Sequence, residues 1–174
     1  MDNSRESLMK KAFDAGKKME LEYGNCSQCA IEAVLQALEI ENEDLFRASC
    51  GLSDGIGLTG NGQCGALSSG AMVLGYLYGR NKEDFPNPRK ILRSCLLSKK
   101  LHDWFVEKYG SCRCADVQVK MVGRSFDMYD PAEYEEAQRI GFQGYTSDVV
   151  ADVARKTVEI ILDEREREAA KGKS

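Results

Sequence analysis

One histidine, His102, one tryptophan and three prolines are all that the 174 residues contain of those types. No Ser-His-Asp pattern, HExxH helix, EF-hand loop or Walker loop can be read along the chain. Ala30 follows Cys29, so the CxxCH attachment of a c-type haem is excluded. Positive charge is not in excess either. The net charge is -4, and no long basic stripe exists, which argues against a nucleic-acid partner. No apolar run approaches the roughly 20 residues of a membrane span. The first residues are charged and lack the apolar centre of a signal peptide. A cytoplasmic, reducing setting is therefore expected. Sustained two-residue alternation is missing throughout, which excludes an ordinary sheet.

What remains is helical periodicity, and the expected fold class is all-α. A single domain over residues 1–174 is expected, since the length suits one hydrophobic core. Residues 4–22 read as an amphipathic helix, with Gly24 as its stop and Asn25 as the next N-cap. A second helix opens on Cys26 and ends near Ile40. A short third covers residues 41–49. Residues 64–79 are small and apolar, and are expected to form the buried central helix. Pro86 and Pro88 bound the next helix, which runs to Tyr109 and is ended by Gly110. A short segment covers 111–121, irregular chain 122–130, and a helix starts at Pro131. The Gly141-Phe142-Gln143-Gly144-Tyr145 stretch is expected to break it. The last helix is expected from Thr146 or Ser147 to about Glu168, with a frayed, charged tail from about residue 166.

Seven cysteines and 16 glycines carry the chemical signal. Residues 50–70, CGLSDGIGLTGNGQCGALSSG, form a glycine-rich loop that ends on Cys64. Cys26 and Cys29 make a CxxC at a helix start, one helical turn apart on one face. The positive end of a helix dipole favours a thiolate there. Cys64 has the same setting. Cys112 and Cys114 make a CxC that can turn two sulfurs toward one object. The plain alternative for any of these is packing, because cysteine is often a small buried hydrophobe. Together, five thiols fall at or beside three helix starts. That is enough for the four thiolates of an iron–sulfur cluster or the four ligands of structural zinc. Gly55-Ile56-Gly57-Leu58-Thr59-Gly60 spells GxGxxG, but no strand precedes it and no βαβ unit surrounds it, so it is not a dinucleotide fingerprint. Cys50 and Cys95 are expected to pack in the core. His102 is expected as a partly buried ring, not a ligand.

Asn25-Cys26-Ser27-Gln28, then Cys64-Gly65-Ala66-Leu67-Ser68-Ser69-Gly70, then Tyr109-Gly110-Ser111-Cys112-Arg113-Cys114 together resemble the C_GCAxxG_C_C family of redox-active proteins. The resemblance spans roughly residues 8–163. It implies that Cys26, Cys64 and Cys114 are redox-active thiols, Cys114 being the better match to the third motif cysteine. The family's fourth cysteine opens the last helix, and Thr146 holds that place here. Cys29 or Cys112 would then complete the set, Cys112 being favoured. A related domain in split-Soret cytochromes implies an iron–sulfur centre. The expected function is electron transfer through a cluster held by Cys26, Cys29, Cys64, Cys112 and Cys114, or through a reversible dithiol, with a redox partner protein. A metal would take Cys26, Cys64, Cys112 and Cys114. The competing expectation is an interaction module stapled by zinc or a disulfide, with no catalysis. A homodimer is compatible with either.

Overall fold

The computed structural model describes residues 4–172. Among these, eight α-helices and no strand occur: α1 (Arg5–Tyr23), α2 (Cys26–Leu38), α3 (Glu43–Ser49), α4 (Gly65–Tyr78), α5 (Leu92–Tyr109), α6 (Cys114–Val122), α7 (Pro131–Arg139) and α8 (Phe142–Lys171). Short 3-10 turns at Cys50–Leu52 and Pro88–Ile91 lead out of α3 and into α5. The all-α expectation matches this architecture.

Local chemistry sets the boundaries. Ser4, Asn25, Asn42 and Asp130 each cap a helix by accepting a backbone N–H in the first turn, which satisfies donors that have no partner inside the helix. Gly110 and Gly123 take the left-handed conformation that ends α5 and α6. The last helix differs from expectation. Gly141 alone makes the left-handed turn, with φ 70, and α8 starts at Phe142. Gly144 is carried inside the helix, where nothing lies within 4 Å of a Cβ added to it. The helix also continues to Lys171, past the point where its charged composition predicts fraying.

The core lies among α1, α2, α4, α5 and α8. The long helix α8 runs against α1, α2, α4 and α5, burying Val150, Val153, Ala154, Val158 and Ile161. Small residues let the helices approach. A Cβ at Gly16 of α1 would meet Val150 Cγ1 at 3.3 Å. The first half of α4 is buried through Ala66, Leu67, Gly70, Val73 and Leu74, whereas Gly75 and Tyr76 face solvent. Thus α4 shares the centre of the molecule with α8. Cys50 and Cys95, expected in the core, are both exposed. Cys50 follows α3 at the mouth of the glycine loop, and Cys95 sits on the outer side of α5 beside exposed Leu92 and Leu96. Helical periodicity alone could not tell that face from the inner one, because both carry apolar residues.

Candidate functional site: a cavity of thiols and carboxyls

The glycine loop is built from backbone that most side chains avoid. Residues 54–58 all have positive φ: Asp54 46, Gly55 71, Ile56 69, Gly57 59 and Leu58 59. Three of the five are not glycine, and each such residue costs roughly 1–2 kcal/mol. The loop is held by its own backbone, with Gly57 N–H bonded to Gly51 O at 2.9 Å and Gly60 N–H to Asp54 O at 2.8 Å. The conformation turns the Asp54 side chain toward Cys114.

A backbone clip joins this loop to the CxC segment. Gln63 and Arg113 form an isolated antiparallel bridge. Cys64 N–H donates to Cys112 O at 2.8 Å, Cys114 N–H to Gly62 O at 2.9 Å, and Ala115 N–H to Gly60 O at 2.8 Å. The clip brings Cys64, the N-cap of α4, next to Cys114, the first residue of α6. Two glycines allow the approach. A Cβ on Gly55 would lie 2.9 Å from Cys114 Cβ, and one on Gly65 would lie 2.8 Å from Cys26 Sγ. The Cys26 sulfur therefore rests against the start of α4, one residue from Cys64.

The result is a cavity of about 360 Å³ whose wall includes Cys26, Cys64 and Cys114, together with Glu20, Asp54, Gln118 and Thr146. Apolar side chains, among them Leu58, Met121, Met128 and Phe142, complete it. Of the five predicted cysteines, three share this wall and two do not. Cys29 is buried close to Glu20 but does not line the cavity, and its S–H donates to Gly24 O at 2.9 Å. Cys112 packs against the hydrophobic core. The clip spends the Cys112 carbonyl on Cys64, and the chain then turns into α6, so the two sulfurs of the CxC do not converge on the cavity. All seven cysteines are free thiols. Thr146 lies in the second turn of α8, not at its start, yet still reaches the wall.

The electrostatics oppose the thiolates that the helix starts would favour. Burial pushes the Cys26 thiol up to about 12, with the nearby Cys64 and Glu20 adding to it. Burial pushes Cys64 up to about 11, against the N–H groups of Leu67 and Ala66 that hold it down. Cys114 is raised further, by burial and then by Asp54. Desolvation and like charge outweigh the helix dipole here, because among the described residues no Lys, Arg or His stands on the cavity wall. Both effects favour the protonated form of the three thiols.

Two acids were not anticipated from sequence. Glu20 is 4% exposed. Its Oε1 accepts from Thr146 Oγ1 at 2.9 Å, while its buried Oε2 accepts no hydrogen bond. Burial raises its pKa to about 7. Asp54 Oδ1 accepts from Cys114 Sγ at 2.9 Å and from Gln118 Nε2 at 2.6 Å, and its buried Oδ2 accepts from none. Burial raises its pKa as well. A signal for Glu20 exists in the sequence: it falls in the buried stripe Met9, Ala12, Gly16, Glu20 of α1, where an acid breaks an otherwise small and apolar face. Asp54 carries no comparable signal, since its role depends on the left-handed turn.

Fold and cavity define a helical protein in which three thiols, two of them buried, line one cavity. The chain belongs to the family whose model carries the description "Putative redox-active protein (C_GCAxxG_C_C)", which matches residues 24–160. No curated protein and no solved structure matches the chain.

Proposed function

We propose that this protein carries electrons through reversible dithiol/disulfide chemistry among Cys26, Cys64 and Cys114. The observation that supports the reading is the convergence of these three free thiols on one cavity. Two of them oxidise to a disulfide with loss of two electrons and two protons. The third remains available to exchange with that bond. Asp54 accepts the Cys114 S–H hydrogen bond and holds that thiol in its protonated form. The partner is a redox protein or a small disulfide able to reach the cavity mouth.

The thiol content is compatible with a cluster or a metal, but the cavity wall does not fit a four-thiolate group. Three thiols face it, where an iron–sulfur cluster takes four. Thr146 holds the fourth place, with its hydroxyl engaged to Glu20. Among the described residues, no three His, Cys, Asp or Glu side chains are grouped as a metal site requires. The dithiol reading therefore stands ahead of the cluster and of a zinc staple.

The test is equilibration of the native protein with oxidised and reduced dithiothreitol, followed by disulfide mapping by mass spectrometry. The expected product is an internal bond between two of Cys26, Cys64 and Cys114. Oxidation confined to Cys50 and Cys95 would overturn the reading.

A further inference from the structure

We infer that the thiol cavity selects small disulfides or thiols bearing an organic ammonium group, with Glu20 and Asp54 as the receptors of that charge. The inference rests on the dithiol reading above and adds the substrate class to it.

Among the described residues, the wall carries two carboxyl groups and three thiols, all ionising to negative charge, and no basic side chain. Each carboxyl has one oxygen that accepts a side-chain hydrogen bond and one that is buried without any. Glu20 is almost wholly buried, so leaving Oε2 without a donor is costly unless something enters to supply one. Cys29 lies close enough to interact with Glu20, but its S–H is aimed at Gly24 O at 2.9 Å and leaves Oε2 without a hydrogen bond of its own. Thr146 already serves Oε1. When ionised, each of these oxygens has room for a further hydrogen-bond donor, and the surrounding negative groups favour a positively charged one.

Cavity size and lining separate an organic cation from a bare ion. The volume of about 360 Å³ falls in the range of small-molecule sites. Met121, Met128, Phe142 and Leu58 offer apolar surface to a short alkyl chain. A bound ammonium would also favour the thiolates. Positive charge beside Cys26 and Cys64 lowers thiol pKa values, opposing the burial that raises them. An anionic disulfide would do the reverse and would meet two carboxylates.

The exchange is balanced. A cavity thiolate attacks one sulfur of the disulfide RSSR, forming protein–S–S–R and releasing one RS⁻, which takes up the proton lost by the thiol. A second cavity thiol displaces the other RS⁻ in the same way. The protein ends as a disulfide, and RSSR, the oxidant, ends as two RSH.

The experiment uses the reduced full chain at neutral pH, without oxygen and with EDTA present. It is mixed with cystamine, bis(2-hydroxyethyl) disulfide or dithiodiglycolate, which are cationic, neutral and anionic. Oxidation of Cys26, Cys64 and Cys114 is followed by quenched mass spectrometry. Each rate is divided by that of a neutral cysteine amide with the same reagent. The normalised cystamine rate is expected to exceed the neutral one on the order of tenfold, and the anion is expected to be slowest. Glu20→Gln should narrow the cation-to-anion ratio several-fold. If that variant does not fold, Asp54→Asn serves the same comparison. Equal normalised rates for all three reagents, or a ratio unchanged in a folded variant, would overturn the selectivity while leaving the dithiol reading intact. Failure of even the neutral disulfide to oxidise the cavity thiols would remove both.

Discussion

Cys114 Sγ donates to Asp54 Oδ1 across 2.9 Å, which ties the first residue of α6 to the left-handed turn of the glycine loop. The carboxylate is the main charge that raises the Cys114 thiol, after burial itself. Asp54→Asn removes the charge and keeps an acceptor oxygen. The Cys114 thiol should then titrate at lower pH and alkylate several-fold faster at a fixed, mildly alkaline pH. Site-resolved iodoacetamide kinetics across pH give the answer. Slower alkylation at every pH would mean that Asp54 acts chiefly as the base that draws off the proton.

Glu20 gives a pH dependence of stability. Burial holds its pKa at about 7 in the fold, against 4.5 for the free group, so the folded chain binds this proton more tightly than the unfolded one. The associated stability is full below 4.5 and is lost as pH rises through about 7. The shift corresponds to about 3 kcal/mol at most. Glu20→Gln should flatten the pH profile over that window. Urea unfolding of wild type and variant on both sides of the window measures it, and parallel profiles would mean that Glu20 is not the group responsible.

The α4 helix was legible as a buried, small-residue element, and two of its glycines now separate. A Cβ at Gly70 would lie 2.6 Å from both Leu101 Cδ2 and Thr157 Oγ1, whereas nothing lies within 4 Å of one at Gly75. Gly70→Ala should cost about 1–3 kcal/mol through overpacking. Gly75→Ala should be neutral or gain about 0.5–1 kcal/mol, because Ala is the better helix former. Thermal melts of the two variants side by side test the register of the helix.

Thiol accessibility follows the structure and not the motif order. Cys50 and Cys95 are exposed, Cys26 and Cys112 are half-buried, and Cys29, Cys64 and Cys114 are buried. In the native protein, maleimide labelling should reach Cys50 and Cys95 first and Cys29, Cys64 and Cys114 last. Peptide mapping of a labelling time course shows the order. Early labelling of Cys64 would mean that the glycine loop opens readily.

Helix existence and order were readable because caps and periodicity are local. Asn25, Gly110 and Pro131 mark ends that depend only on their own backbone. The convergence of Cys26, Cys64 and Cys114 was legible as a family pattern, although its cause, the clip between residues 60–64 and 112–115, lies in long-range backbone pairing. Asp54 was invisible for a different reason. Five successive left-handed residues, three of them not glycine, contradict local preference, so nothing in the local sequence forecasts where that side chain points. The start of α8 was misplaced because Gly141 and Gly144 look alike in sequence, and only the first takes positive φ.

Thr146 offers a test between the dithiol and the cluster. It stands on the cavity wall with Cys26, Cys64 and Cys114, and the sequence resemblance puts the family's fourth cysteine at this position. A neutral hydroxyl is a poor ligand for iron, and a thiolate is a good one. Thr146→Cys should raise the wall from three thiols to four without a large change in volume. It gives up the Thr146–Glu20 hydrogen bond, at a cost of about 1–3 kcal/mol. On anaerobic reconstitution with iron and sulfide, the variant should develop visible absorption that dithionite bleaches, with iron and sulfide retained through gel filtration. Wild type and Thr146→Ser, which keeps the hydroxyl, should stay colourless. A wild-type protein that takes up as much iron and sulfide as Thr146→Cys would show that three thiols suffice, and the dithiol reading would give way to a cluster. A colourless Thr146→Cys, folded by circular dichroism, would mean that the cavity holds its thiols too far apart to share one cluster.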